Sequence, residues 1–205
     1  KNFKGKTYKI PIYDNIKLFD EVNLFCKWYA KKFVKKNKLI KFKIDIKKQI
    51  KFLLTHLNSK EKIFVHRDFH VSNLMKFKNK IGVIDSQDAL IGNRAYDLAS
   101  LIDDVRFKTD KTFKDKIYHY YLKLNKKRVN EATLLNDFEI LSILRNMKII
   151  GIFTRLATRD KKKKYLKLIP YAWKLIELRI SNNKIFTELK SLLDLNFSKN
   201  IRNQK

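Results

Sequence analysis

The apolar residues of the chain recur at intervals that predict helices on both sides of a less regular middle segment. One set runs over 18–33 and a second over 46–57, and the spacing is helical again from 94 onward. The segment 134–156 is apolar on most sides, which predicts a buried central helix. Breaks between the later helices are expected near Lys108, Lys126, Asp160 and Asn182.

The middle segment contains short runs that are typical of β-strands. They occupy 63–65, 74–77 and 81–84, and a turn between the last two is expected at Asn79 and Lys80. Because these runs are too short to form a sheet-based domain, the pattern predicts a largely helical body with small β elements.

The composition fits one folded domain of 205 residues, since 44% of them are hydrophobic. The longest apolar stretch, 140–153, is interrupted by Arg145 and Lys148, so we do not interpret it as a membrane span. Neither end has the residue order of a signal peptide, and a cytoplasmic enzyme is expected. The single cysteine, Cys26, excludes a disulfide within the chain and is predicted to be a buried structural thiol.

A net charge of +28 raises the alternative of a nucleic-acid-binding module. The composition argues against it, because lysines outnumber arginines 39 to 9 and are scattered over every segment. Arginine-rich readout helices and aromatic RNA-binding signatures are not found in the sequence. The densest run, 161–164, is expected to be a solvated start of a helix. A nucleic-acid partner is therefore disfavoured, and a basic binding module with a vestigial catalytic motif remains the alternative from another class.

The segment FVHRDFHVSNLM contains a kinase-type catalytic loop. His66, Arg67, Asp68 and Asn73 reproduce the pattern H-R-D-x-x-x-x-N, and Asp85 follows a predicted hairpin where a metal-binding Asp belongs. Phosphoryl transfer needs a carboxylate that orients the hydroxyl and accepts its proton, the role assigned to Asp68. It also needs Mg²⁺, a hard cation that prefers oxygen ligands, and Asn73 and Asp85 supply them.

Two longer segments resemble one family closely. VIDSQDALIGNRAYDLASLIDD resembles the pattern I-D-F-Q-D-A, G, Y-D-L-x-S-L, and ILRNMKIIGIFTRLATRD resembles the helix R-N-L-K-x-x-G-I-F-x-R-L, both of bacterial cell-wall amino-sugar kinases. With the catalytic loop they cover most of 8–180. The chain is thus similar to the aminoglycoside phosphotransferase and choline kinase superfamily, and most similar to its kinases for the anomeric carbon of N-acetylmuramate and N-acetylglucosamine.

The resemblance implies an α+β, protein-kinase-like fold, of which residues 1–205 form the mainly helical C-terminal lobe. It implies a post-hinge segment at 1–15, a catalytic and metal-binding core with a small β-hairpin at 63–105, and a helical subdomain at 106–205. Because Gly5 is the only glycine before His66, no glycine-rich phosphate loop is expected there, and the β-rich N-lobe is expected upstream in the same polypeptide.

The resemblance also implies ATP and Mg²⁺ as cofactors and an amino sugar as substrate. Asp97 is expected to brace the catalytic loop together with His66 and Arg67. Arg145, Asn146 and Arg155 lie on an apolar helix, where they are costly unless they are paired, either with substrate or with core carboxylates and helix ends. The candidate substrate-binding residues are His70, Asp88, Arg145, Asn146 and Arg155.

Departures from the family pattern occur next to the site. Ser86 replaces a large aromatic residue after Asp85, so the packing around that carboxylate is expected to be looser. Asn93 and Arg94 replace a small residue and a proline, which is expected to alter the turn before Asp97. Aminoglycoside, choline and homoserine kinases are the nearest alternatives within the same fold.

Overall fold

The computed structural model describes residues 9–204 and the short strands β1 (Asn2–Phe3) and β2 (Lys6–Thr7). Of the predicted post-hinge segment, residues 1, 4, 5 and 8 lie outside the described residues, Gly5 among them. The helices are α1 (Asn15–Val22), α2 (Lys31–Phe33), α3 (Lys36–Thr55), α4 (Ala95–Ile102), α5 (Lys111–Asn125), α6 (Glu131–Thr158), α7 (Ile169–Ile180), α8 (Thr187–Asn196) and α9 (Lys199–Arg202). The remaining strands are β3 (Lys62–Val65), β4 (Leu74–Phe77), β5 (Lys80–Val83) and β6 (Leu90–Asn93).

Helix α6 forms the centre of the molecule, as its apolar pattern predicts. It packs against α1, α4 and α7, and side chains around its whole circumference are buried. An aromatic cluster fills the space beside it, in which the rings of Phe25, Tyr29, Trp173 and Phe197 lie within 6 Å of one another. Burial of these large rings stabilises this side of the core.

The predicted helix at 18–33 is divided into α1, a π-helical segment at Phe25–Ala30, and α2. The division occurs where α6 approaches the backbone at Gly151. A Cβ atom on Gly151 would lie 2.4 Å from the carbonyl carbon of Leu24, a separation that packed atoms do not reach. A larger residue at this position would therefore force the backbone at the crossing to shift. Cys26 lies in the π-helical segment and is buried, and burial raises the pKa of its thiol to about 11.

The middle segment forms two antiparallel strand pairs, of which β3 and β6 contribute Val65 and Leu90 to the buried core. Strands β4 and β5 form the predicted hairpin, although its turn is at Lys78 and Asn79, one residue earlier than expected. Strand β6 was not predicted, because its four residues include Gly92 and its pairing with β3 is long-range. Gly92 lies opposite Ile63 in that register.

The arrangement is mostly helical with small antiparallel sheets, which confirms the α+β class. The division of the chain at 15, 63 and 106 stays a prediction. Among the helices of the described residues, none combines the length and the apolar character needed to cross a membrane.

Candidate active site

The kinase-type loop follows β3 and is fixed by the first turn of α4. The carboxylate of Asp97 accepts hydrogen bonds from the peptide N–H groups of His66, at 2.6 Å, and Arg67, at 3.0 Å. Arg67 has a φ of 71°, an unfavourable backbone conformation for a residue with a side chain. Such a conformation persists only where surrounding contacts determine it, and the two bonds to Asp97 supply that constraint.

Burial raises the pKa of Asp97, and the hydrogen bonds from the two peptide groups lower it without cancelling that effect. The position of Asp97 in the structure is thus that of a support for the loop. Its carboxylate reaches the backbone on the N-terminal side of Asp68 and does not line the cavity described below.

The loop is also joined to the end of the β4–β5 hairpin. His66 Nε2 donates to the carbonyl of Ile84 at 2.9 Å, which requires the proton on that nitrogen. The peptide N–H of Ile84 donates to the carbonyl of Asn73 at 3.1 Å. Together these bonds hold Asp85, the next residue along the chain, beside the catalytic loop. Asp85 has a φ of 69°, again an unusual value for a non-glycine residue.

Asn73 and Asp85 provide the oxygen donors that a magnesium ion prefers. The side-chain nitrogen of Asn73 donates to the carbonyl of Asp68 at 2.9 Å, so its amide oxygen is the atom that could bind a cation. One carboxylate oxygen of Asp85 accepts from Gln87 at 2.9 Å. The described residues contain no cluster of three or more His, Cys, Asp or Glu placed to hold a metal. A pair of oxygen ligands fits a cation whose other ligands are water and phosphate.

Asp68 lies at a small cavity whose lining is mainly basic. The cavity has a volume of about 60 Å³. Its polar lining residues are Arg67, Asp68, His70, Tyr96, Arg106, Arg145 and Lys148, with Ile149, Ile152 and Phe153 as the apolar part. Four cationic side chains around one candidate base favour an anionic ligand over a cationic one.

Glu21, which the sequence analysis did not identify, connects three parts of this site. Its carboxylate pairs with Arg67 of the loop and with Lys148 of α6, the latter at 2.7 Å, and accepts the hydroxyl of Tyr13. Burial acts to raise the pKa of Glu21, but the Lys148 ammonium, the Tyr13 hydroxyl and the Arg67 guanidinium outweigh it and lower that pKa. The sequence contained one signal for Glu21. Its carboxylate follows Leu18 by three residues and therefore lies on the buried face of a predicted helix.

His70 and its neighbours form the side of the cavity nearest to α4. The peptide N–H of His70 donates to the carbonyl of Asp68 at 3.0 Å, and burial lowers the pKa of the imidazole, aided by the charge of Arg106. Asp104 accepts from the peptide groups of Val71, at 3.2 Å, and Arg106, at 3.0 Å. The loop is therefore fixed at its C-terminal side by a second buried carboxylate, also absent from the sequence analysis.

The remaining candidate residues differ in their positions. Arg145 lines the cavity, is 4% exposed, and makes one long hydrogen bond, 3.4 Å, to the carbonyl of Asp103. Asn146 is buried next to it but donates to the carbonyl of Ser142 and does not line the cavity. Arg155 also lies outside the lining. The structure thus brings Arg145 together with Asp68 and His70, and it does not bring Asn146 or Arg155 there.

Asp88 is exposed and contributes through its backbone, since its carbonyl accepts from Arg67 Nη1 at 3.0 Å. Both residues of the turn before α4 are held by side-chain contacts. Asn93 donates to Asp137 at 2.6 Å, and its oxygen accepts the N–H of Ala95, the first residue of α4, at 2.9 Å. Arg94 forms an ion pair with Glu61. Asp97 on the following helix reaches the loop, and whether this turn differs from that of the family stays a prediction.

The sequence of this chain is similar to those of several curated kinases. It is 34% identical over 166 residues to an N-acetylmuramate/N-acetylglucosamine kinase of Neisseria meningitidis, a match that covers 78% of this chain and 50% of the relative. A protein of the same name from Pseudomonas aeruginosa is 28% identical, over 90% of this chain and 56% of the relative. Another from Caulobacter vibrioides is 25% identical, over 94% and 53%. The chain spans about half the length of the curated relatives it matches.

The family model covers the loop, the hairpin and the helices on both sides of them. The model of the phosphotransferase enzyme family matches residues 20–133, more than half of the chain. That range contains Asp68, Asn73 and Asp85, and phosphoryl transfer would explain the presence of these three residue types at this spacing. This chain belongs to the phosphotransferase enzyme family.

Proposed function

We propose that this chain is the acceptor-binding and catalytic part of an ATP-dependent kinase for a sugar hydroxyl, at C1 of N-acetylmuramate or N-acetylglucosamine. The observation that supports this most is the placement of Asp68 at a basic cavity, with Asn73 and Asp85 tied beside it through the hairpin. The names of the relatives supply the substrate class. A cavity rich in cations favours an acidic or neutral sugar over a polycationic aminoglycoside.

In the proposed reaction Asp68 accepts the proton of the acceptor hydroxyl while the hydroxyl oxygen attacks the γ-phosphorus of ATP. The bond between that phosphorus and the bridging oxygen breaks, ADP leaves, and a sugar phosphate forms. A magnesium ion held by Asn73 and Asp85 would offset charge on the nucleotide phosphates. Asp97, His66 and Arg67 act on this step only by positioning the loop.

Exposed apolar residues on both faces of the hairpin beside the proposed metal ligands support a further contact of this site. Met75 and Phe77 lie on one face and Ile81 and Val83 on the other, and all four are 47% to 69% exposed. Exposed apolar side chains of this kind mark binding surfaces. We propose that the base of the nucleotide and the N-lobe of the kinase domain cover these residues.

The test is transfer of labelled phosphate from ATP to N-acetylmuramate, N-acetylglucosamine, choline and kanamycin. It uses this chain and, in parallel, the complete open reading frame that contains it. Asp68→Asn is expected to lower kcat by roughly 10²- to 10⁴-fold, the usual contribution of a general base. Asp20→Asn is the matched control, because Asp20 is exposed and lies outside the cavity lining.

We expect phosphate transfer to at least one of the two amino sugars. The Asp68→Asn substitution should abolish this transfer, and Asp20→Asn should leave it intact. Transfer to choline or kanamycin alone would refute the proposed substrate class and leave the role of Asp68 standing. Equal activity of Asp68→Asn and the unmodified protein would refute the assignment of the base.

A further inference from the structure

Two buried arginines of this chain differ in one respect that bears on substrate choice. Arg179 is bidentate to the carboxylate of Asp103, through Nε at 2.9 Å and Nη2 at 3.1 Å. Arg145 is equally buried and has no carboxylate partner among the described residues; its one hydrogen bond reaches a backbone carbonyl at 3.4 Å. A guanidinium excluded from water without a counter-ion is strongly unfavourable in the free protein.

The other cations of the cavity are already compensated. Arg67 and Lys148 share the carboxylate of Glu21. Arg106 lies 3.4 Å from Asp104, and its side chain is 32% exposed, so water also solvates it. Among the described residues, Arg145 is the cavity cation that forms no ion pair; the carboxylates of Asp104 and Asp68 act on it only from a greater distance. An anion entering the cavity would supply the partner that the fold withholds.

The cavity has room for such an anion. The space of about 60 Å³ accommodates a few water molecules, and a carboxylate group fits it. A guanidinium binds a carboxylate through two parallel hydrogen bonds, and Arg106 on the same lining adds a second cation.

We propose that Arg145, assisted by Arg106, is the receptor for a carboxylate on the acceptor, so that this protein prefers an acidic amino sugar to its neutral counterpart. The inference rests on the proposed function, from which it takes the acceptor class. N-acetylmuramate and N-acetylglucosamine form the matched pair of ligands, because the first differs from the second by a lactyl ether that bears the carboxylate.

The experiment measures the dissociation constant of each sugar by calorimetry without nucleotide, and kcat/KM for each with ATP. The protein is compared with Arg145→Met and with Arg145→Lys, which keeps the charge and loses the bidentate geometry. Arg159→Met is the matched control, because Arg159 caps the same helix, is exposed, and lies outside the cavity.

For Arg145→Met we expect binding of the acidic sugar to weaken by roughly 10- to 100-fold, the range for a charge-assisted pair. Binding of the neutral sugar should stay within about twofold of the unmodified protein. Arg145→Lys should fall between the two, and Arg159→Met should match the unmodified protein. The thermal midpoint of Arg145→Met should not fall, because the change removes an unpaired buried charge.

The proposal would be overturned if Arg145→Met weakened the binding of both sugars equally. It would also be overturned if this substitution weakened the binding of neither sugar. A raised KM for ATP in Arg145→Met, with an unchanged ratio of the two sugar dissociation constants, would also overturn it. The anion bound by Arg145 would then be a nucleotide phosphate. A lowered thermal midpoint with an unchanged ratio would show that Arg145 is structural. If the unmodified protein transfers phosphate to neither sugar, the proposed function fails, while the ratio of the two dissociation constants still decides the role of Arg145.

Discussion

Replacing Glu21 by Gln tests whether one carboxylate holds the catalytic loop against the helical core. The change keeps the shape of the side chain and removes the charge that Arg67 and Lys148 share. The side chains of Glu21 and Lys148 are 18% and 13% exposed, so the pair lies between a surface ion pair and a fully buried one. Breaking surface pairs costs at most about 1 kcal/mol and breaking buried pairs about 3–5 kcal/mol. We expect a loss of about 2–3 kcal/mol in the free energy of unfolding.

Urea unfolding followed by circular dichroism measures this loss directly. For a chain of this length it corresponds to a fall of roughly 4–12 °C in the thermal midpoint. Asp115→Asn is the matched control, because Asp115 pairs with Lys111 on an exposed face of α5 and should lose less than about 0.5 kcal/mol. A Glu21→Gln protein no less stable than the Asp115→Asn protein would refute the idea that Glu21 anchors the loop.

Two further changes probe the core. Gly151→Ala normally favours a helix, yet here the new Cβ would meet the backbone of Leu24, so we expect a loss of roughly 1–3 kcal/mol in urea unfolding; a gain would contradict the observed crossing of α6. Burial acts to raise the pKa of Asp103, but the bonds and charges of Arg179 and Lys114 outweigh it and lower that pKa. The stability from this carboxylate is thus complete above the ordinary Asp pKa of about 3.9 and is lost as pH falls through the lowered value. Asp103→Asn should be about 3–5 kcal/mol less stable at pH 7, a difference that shrinks below about pH 4; a constant difference down to pH 2 would contradict the ion pair.

The sequence predicted the elements whose signals are local. The burial of α6 follows from an apolar pattern that continues around the helix, and the positions of Asp68 and Asp85 follow from motif spacing and hairpin chemistry. Strand β6 escaped prediction because four residues carry little periodicity and its partner β3 is more than twenty residues away. Lys148 was interpreted only as an interruption of an apolar stretch, although its charge is balanced by a carboxylate 127 residues earlier. Pairing across such distances has no local pattern to reveal it.

The cost of burying polar groups on α6 could be foreseen from the sequence, but how that cost is met depends on the fold. The side-chain nitrogen of Asn146 donates to the carbonyl one turn earlier, while its buried oxygen has no hydrogen-bond partner within the described structure. Arg155 lies half-buried and outside the cavity. Arg145 alone of the three combines nearly complete burial with a place beside Asp68 and no carboxylate partner within the described structure. A core that pairs Arg179 with Asp103 and leaves Arg145 without an ion pair gives up stability at a position beside Asp68, where a ligand can restore it.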